Sequence, residues 1–184
     1  ASPVDLPEFP RSTMDGYAVR AADTFGASES IPAYFDIAGF VPMGSAPDFK
    51  VGGGQAARIN TGGMMPAGSD AVVMDEYTTA PDERTVEIRR PGAVGENVLC
   101  VGDDLKAGER ILPEGSRLRS HDIGAFSGVG ITAVKVRRRP LVAILPTGDE
   151  LVDPREVPAP GQVRDINRFS LAAAVVELGG VPET

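Results

Sequence analysis

The sequence predicts a mixed α+β chain of more than one module: a β-rich central module, then the first β-α unit of a doubly wound α/β domain. Three observations carry this. Between Ser12 and about Gly108, short runs of β-branched and aromatic residues alternate with turn residues, and no 3.6-residue apolar period occurs. At Pro140 the composition changes to the continuous apolar run Leu141-Val142-Ala143-Ile144-Leu145. A strand buried on both faces of a parallel sheet reads this way. Finally, Asp165-Ile166-Asn167 opens a helix through Leu178 that Gly179-Gly180 closes.

The elements follow in order. Up to about Pro10 the chain is Pro-rich and extended, because a residue before proline avoids the helical region. An opening of this kind reads as cut from something longer. Ser30 to Val41 and Ala56 to Asn60 read as strands, separated by Gly52-Gly53-Gly54. Asp70 to Thr79 reads as one strand that turns at Pro81-Asp82-Glu83 and returns as Thr85 to Arg90, a hairpin. Glu96 to Val101 is a further short strand containing Cys100. Ile111-Leu112 is strand, followed by a turn at Pro113-Glu114-Gly115. Ser120 caps a short helix ending near Gly128, and Ile131 to Arg137 alternates as a half-exposed strand does. Phe169, Leu171, Val175, Val176 and Leu178 read as core. Val181 begins a second parallel strand just before Thr184, which marks the chain as a fragment of its third module.

Composition narrows the function. There are 184 residues, of which 42% are apolar, with 22 Gly and 16 Pro, a folded and turn-rich profile. The 18 basic and 26 acidic side chains give a net charge of −8. A nucleic-acid binder needs a basic face to release counterions, so this balance argues against one. A single Cys and a single His exclude a disulfide framework and a Cys/His zinc site. No apolar run approaches a membrane span, and the N-terminus lacks the pattern of a secretory signal. The expected compartment is the cytoplasm, with no nucleic-acid or membrane partner.

Chemistry concentrates in a few turns. Met14-Asp15-Gly16, Gly102-Asp103-Asp104 and Thr147-Gly148-Asp149-Glu150 place acids beside glycine. Carboxylates there suit Mg²⁺, which takes one or two of them plus phosphate oxygens and water. Taken singly, each pair is also an ordinary turn former. The Thr147–Glu150 loop has the better case, since open α/β sheets bind ligands at the carboxyl ends of their strands. Asn60-Thr61-Gly62-Gly63 offers a hydroxyl and backbone N–H groups as an anion nest, although it lacks the P-loop ending. The helix start at Asp165 offers a positive dipole end for a phosphate, and capping alone explains it equally well. His121 reads as a helix-start residue, Cys100 as inert, and Arg137-Arg138-Arg139 as a solvated strand end.

Together these motifs resemble one family. Ser12-Thr13-Met14-Asp15-Gly16-Tyr17-Ala18 is similar to the S-A-M-D-G-Y-A signature of the molybdopterin molybdotransferases, the molybdenum-insertion enzymes related to the gephyrin E domain. Asn60 to Val73 resembles their T-G-A-x-x-P-x-G-A-D-A-V-V stretch, with Gly63 in place of the usual Ala. Gly102-Asp103-Asp104 with Ala107-Gly108 resembles their G-E-D-x-x-x-G turn. Pro146-Thr147-Gly148-Asp149-Glu150-Leu151 resembles S-T-G-D-E-L, with Pro146 in place of Ser.

The resemblance implies a homodimer of four-domain subunits. Residues 1–11 and 108–139 would be the remnant of domain I, 12–107 the β-rich domain II, and 140–184 the incomplete start of an α/β molybdopterin-binding domain III. It implies molybdenum cofactor biosynthesis: insertion of molybdate into adenylylated molybdopterin with release of AMP and with Mg²⁺, downstream of a molybdopterin adenylyltransferase. Asp15, Thr61, Asp104 and Glu150 fall on the catalytic positions, with Asp104 and Glu150 as metal ligands. Thr147, Gly148 and Asp149 fall on the cofactor-binding loop. The rest of domain III and all of domain IV lie outside the sequence, so the isolated piece is expected to be inactive. A non-catalytic scaffold of the gephyrin type is the competing expectation, and tungstate would serve the same residues as molybdate.

Overall fold

Small and β-branched residues at alternate positions explain the centre of the first unit. In a strand, neighbouring side chains point to opposite faces, and here both faces are covered. In the computed structural model, which describes residues 1–184, the chain divides into two units, residues 1–132 and 133–184. In the first, β1 (Arg11–Ser12) leads into β2 (Gly16–Val19), β3 (Ala33–Phe40), β4 (Gln55–Ile59), β5 (Ala71–Met74), β6 (Thr78–Thr79), β7 (Thr85–Ile88) and β8 (Val98–Leu99). Six of these strands form one mixed sheet in the order β5-β2-β4-β3-β7-β6, and β1 pairs with β8.

Tyr17, Val19, Ala56, Ala71 and Val73 pack on one face with Phe35, Val86 and Ile88. Ala18, Ala57, Ile59 and Val72 pack on the other with Val41, Val51 and Met65. The central strand β2 is therefore buried along its whole length. Its register sets the position of the site. Gly16 lies opposite Ile59 of β4 and Met74 of β5, so the start of β2 meets the ends of both antiparallel neighbours. The segments 12–15, 60–63 and 75–77 converge at that end.

Several expectations need correction. Asp70 to Thr79 is not one strand. A 3-10 turn at Asp75–Tyr77 divides it, so β5 pairs with β2 while β6 pairs with β7. The hairpin is left with two residues per side, Thr78 and Thr79 facing Ile88 and Glu87. Of the strand expected over Glu96 to Val101, Val98–Leu99 forms, and Cys100 lies exposed beyond its end. Neither Ile111-Leu112 nor Ile131 to Arg137 is a strand. Alternation alone does not make one without a partner to complete the ladder. The helix α1 (Ser120–Gly128) forms, but Ser120 is its first helical residue and not its cap. The Asp122 carboxylate accepts the Arg119 N–H at 2.9 Å and does that work from inside the helix.

The second unit contains β9 (Leu141–Ala143), β10 (Leu151–Val152), β11 (Val163–Arg164), α2 (Asn167–Glu177) and β12 (Val181–Glu183). β12 lies parallel to β9, with α2 between them in sequence, and β10 lies parallel to β11. Asp165 accepts the Arg168 N–H at 3.0 Å, and Gly179 takes φ +88° past the helix end. Of the expected burial, Ile144 alone in the run of residues 141–145 is buried. Leu141 and Leu145 are 66% and 83% exposed, and α2 has no buried residue. Phe169, Leu171, Val176 and Leu178 are exposed and Val175 is half-buried, so this stripe is not core within the unit. The reason is that β9 has one neighbouring strand and no second layer covers the helix. No helix of the chain is long and apolar enough to cross a membrane.

Candidate functional site

The Ser12–Asp15 turn is shaped by Ser12, which is buried. Its Oγ accepts the Met14 N–H at 3.2 Å and donates to the Met14 carbonyl at 2.5 Å. Asn97, at φ +58°, accepts the Thr13 N–H at 3.0 Å through its carbonyl. Its side-chain amide donates to the Val72 carbonyl at 2.9 Å. Asp15 is thereby presented at the mouth of β2.

Asp15 and Thr61 meet. Asp15 Oδ1 accepts the Thr61 N–H at 2.7 Å and the Thr61 hydroxyl at 3.0 Å. The two loops are joined further by Gly62 N–H to the Ser12 carbonyl at 2.8 Å and Ser12 N–H to the Gly63 carbonyl at 2.9 Å. The expected anion nest is thus filled from within, since Gly63 N–H also donates to the Asn60 carbonyl. The anion it holds is Asp15 itself. These bonds, the backbone donor first and the hydroxyl second, outweigh desolvation and lower the Asp15 pKa below its ordinary value, with the charge of Arg58 adding to the effect. Asp15 therefore stays ionised, and no protein hydrogen bond reaches its Oδ2.

A depressed carboxylate contributes stability that is complete above its unfolded pKa of about 4 and is lost as pH falls through the lower folded value. Thr61→Val removes the hydroxyl and keeps the backbone donor. The Asp15 transition, followed by carbon NMR, is expected to rise partway towards the ordinary value; an unmoved transition would show that the hydroxyl is not a donor.

Asp104 does not touch this pair. Its carboxylate lies 3.8 Å from the Arg11 guanidinium and is half exposed, while its N–H donates to the Leu6 carbonyl at 2.9 Å. The neighbouring Asp103 carboxylate accepts the Cys100 N–H at 2.6 Å.

Within the second unit, Thr147, Gly148, Asp149 and Glu150 form an exposed loop between β9 and β10. The Glu150 carboxylate folds over Gly148, so close that a Cβ there would lie 2.6 Å from it. A cleft of about 440 Å³ runs between the end of β9 and the start of α2. Thr147 lines it with Asp165, Asn167 and Arg168, whereas Gly148, Asp149 and Glu150 do not.

No three acidic, His or Cys side chains are grouped to hold a metal, so neither unit offers an all-protein metal cage. Magnesium held by one or two carboxylates with phosphate oxygens and water needs no such cage, and Asp104 is a half-exposed carboxylate of that kind, 3.8 Å from the Arg11 guanidinium.

Two residues escaped sequence reasoning. Arg58 donates from both terminal nitrogens to the Asp75 carboxylate, through Nη2 at 2.8 Å, and lies over the Tyr17 ring with 5.2 Å to its centroid. A lone cation within Ala-Ala-Arg-Ile, otherwise an apolar strand, was the signal available.

A family model described as the MoeA N-terminal region (domain I and II) matches residues 1–130. A molybdopterin molybdenumtransferase from Nostoc is 39% identical over 181 residues, covering 98% of this chain and 41% of the Nostoc protein. One from Bacillus subtilis is 35% identical over 180 residues, covering 96% and 42%. A crystal structure of a molybdopterin biosynthesis MoeA protein from Pyrococcus horikoshii OT3 superimposes with a TM-score of 0.89 at 34% identity, covering 99% of this chain and 48% of that one. Another Pyrococcus MoeA crystal structure matches with a TM-score of 0.79 at 43% identity, covering 98% and 46%. The chain thus spans about two fifths of the length of these curated relatives.

Proposed function

This chain belongs to the MoeA family, and from that premise we propose that it is the part of a molybdopterin molybdotransferase that carries the Asp15–Thr61 side of the reaction centre. The reaction is insertion of molybdate into adenylylated molybdopterin with release of AMP. The observation that carries this reading is the Asp15–Thr61 contact: two motif residues 46 positions apart are held together by two hydrogen bonds at one exposed end of the six-stranded sheet. The names of the relatives support the substrate class.

Cleaving a phosphoanhydride requires positioning and charge neutralisation. Thr61 holds one oxygen of the exposed Asp15 and leaves the other without a protein hydrogen bond. At neutral pH that oxygen is an ionised hydrogen-bond acceptor, and its lowered pKa suits it to orienting a donor of the substrate or a water and not to abstracting a proton. Asp104 and Glu150, each within its own unit, are the carboxylates we assign to Mg²⁺; the ion, when bound, would neutralise phosphate charge. Thr147, Gly148 and Asp149 are assigned to the pterin. The exposure of the loop supports that role, and Thr147 also lines the neighbouring cleft.

In the same reading, residues 1–11 and 108–139 belong to domain I, 12–107 to domain II and 140–184 to domain III. β9, α2 and β12 are then the first step of a doubly wound sheet. The whole protein is a cytoplasmic homodimer served by a molybdopterin adenylyltransferase. The test is release of AMP from adenylylated molybdopterin by the longer protein. Release that depends on molybdate and Mg²⁺ supports the reading, and intact substrate after incubation with both overturns it.

A further inference from the structure

We propose that the Arg58–Asp75 pair is a positioning device that holds the Asp15–Thr61 contact in register. The sheet order puts β2 between β4 and β5, so no backbone ladder joins those two strands. Arg58 sits on β4 directly opposite Tyr17 of β2. Its guanidinium crosses the Tyr17 ring and grips Asp75, the first residue after β5, with both terminal nitrogens. This pair ties the end of β4 to the end of β5 across the central strand.

Both ends of that tie reach Asp15. Asp75 donates its N–H to the Asp15 carbonyl at 3.1 Å. Arg58 leads, three residues later, to Thr61, whose N–H and hydroxyl hold the Asp15 carboxylate. Asp15 is thus pinned at its carbonyl from β5 and at its carboxylate from β4, and the ion pair sets the distance between the two pins. The bidentate fork and the ring beneath it fix direction as well as distance, which a point charge would not.

Asp75 has a second effect. Arg58 is the cation whose charge acts on Asp15. While Asp75 occupies the fork, Arg58 cannot turn to Asp15 and compete with Thr61 for its oxygens. The pair is about one third exposed on each side, and an ion pair at that exposure contributes little to global stability. Its effect is local.

The consequence for catalysis rests on the reading above, but the contact itself is measurable in this chain. Asp75→Asn is expected to speed hydrogen exchange of the Thr61 amide about tenfold, while the amides of β7 stay within about twofold, as local opening predicts. The Asp15 titration, read at the Thr61 amide, is expected to shift as Arg58 turns towards Asp15. Arg58→Lys, which keeps the charge without the fork, is expected to be intermediate. Unchanged Thr61 exchange and titration in both variants would overturn the proposal, and so would equal loosening of β7. Absence of AMP release by the unmodified longer protein would count against the assigned reaction and not against this contact.

Discussion

Asp15→Asn is expected to lower molybdate-dependent AMP release by the longer protein about a hundredfold or more, the scale seen when a positioned catalytic group is removed. The substitution isolates charge from shape. An asparagine oxygen can still accept the Thr61 N–H and hydroxyl, which hold Asp15 at 2.7 and 3.0 Å. The turn set by Ser12 and Asn97 does not involve the Asp15 carboxylate. The melting temperature at neutral pH is therefore expected to fall only by the charge-assisted share of those two bonds. What is lost is the carboxylate's negative charge, shared by the oxygen that Thr61 holds and the one that no protein hydrogen bond reaches. Activity within about threefold of normal would remove Asp15 from the reaction.

Gly16→Ala is expected to be strongly destabilising to the first unit. A Cβ at Gly16 would lie 2.0 Å from the Val73 carbonyl oxygen and 3.0 Å from the Met74 Cα. Both are backbone atoms of a paired strand, so no side chain can move aside. β2 is also held by β4 on its other edge, so relief requires opening the β2–β5 ladder. The expected loss is more than about 3 kcal/mol, the upper end of overpacking costs. It should appear in urea denaturation as a lower midpoint, together with faster exchange across β5. A loss below about 1 kcal/mol would mean that β2 and β5 do not pair as described. The glycine of the Met-Asp-Gly turn is thus a packing requirement of the strand as much as a turn former.

That glycine shows how sequence and structure divide the account. The strands β3, β4 and β7 were legible from apolar runs between turns, and α2 was legible from its caps. So were the turns bearing Asp15 and Thr61. Their contact was not, because it depends on β2 and β4 pairing across 46 positions. The division of Asp70 to Thr79 was hidden for a similar reason: Val72 and Thr78 serve different partner strands, and nothing local marks the change. The filling of the Asn60–Gly63 nest required knowing where each N–H goes, and Asp15, distant in sequence, takes one of them. The apolar stripe of α2 was read correctly as apolar and wrongly as buried, since burial depends on a covering layer that the second unit does not contain.

The most direct test of the central claim, that the Asp15–Thr61 contact is where ligand chemistry takes place, is an amide chemical-shift map of the labelled chain titrated with adenylylated molybdopterin and Mg²⁺. The prediction is that Thr61, Gly62 and Gly16 shift together and saturate with a single dissociation constant, and that Asp15→Asn abolishes the shift. Saturable shifts confined to β6 and β7, with Thr61 unmoved, would contradict it.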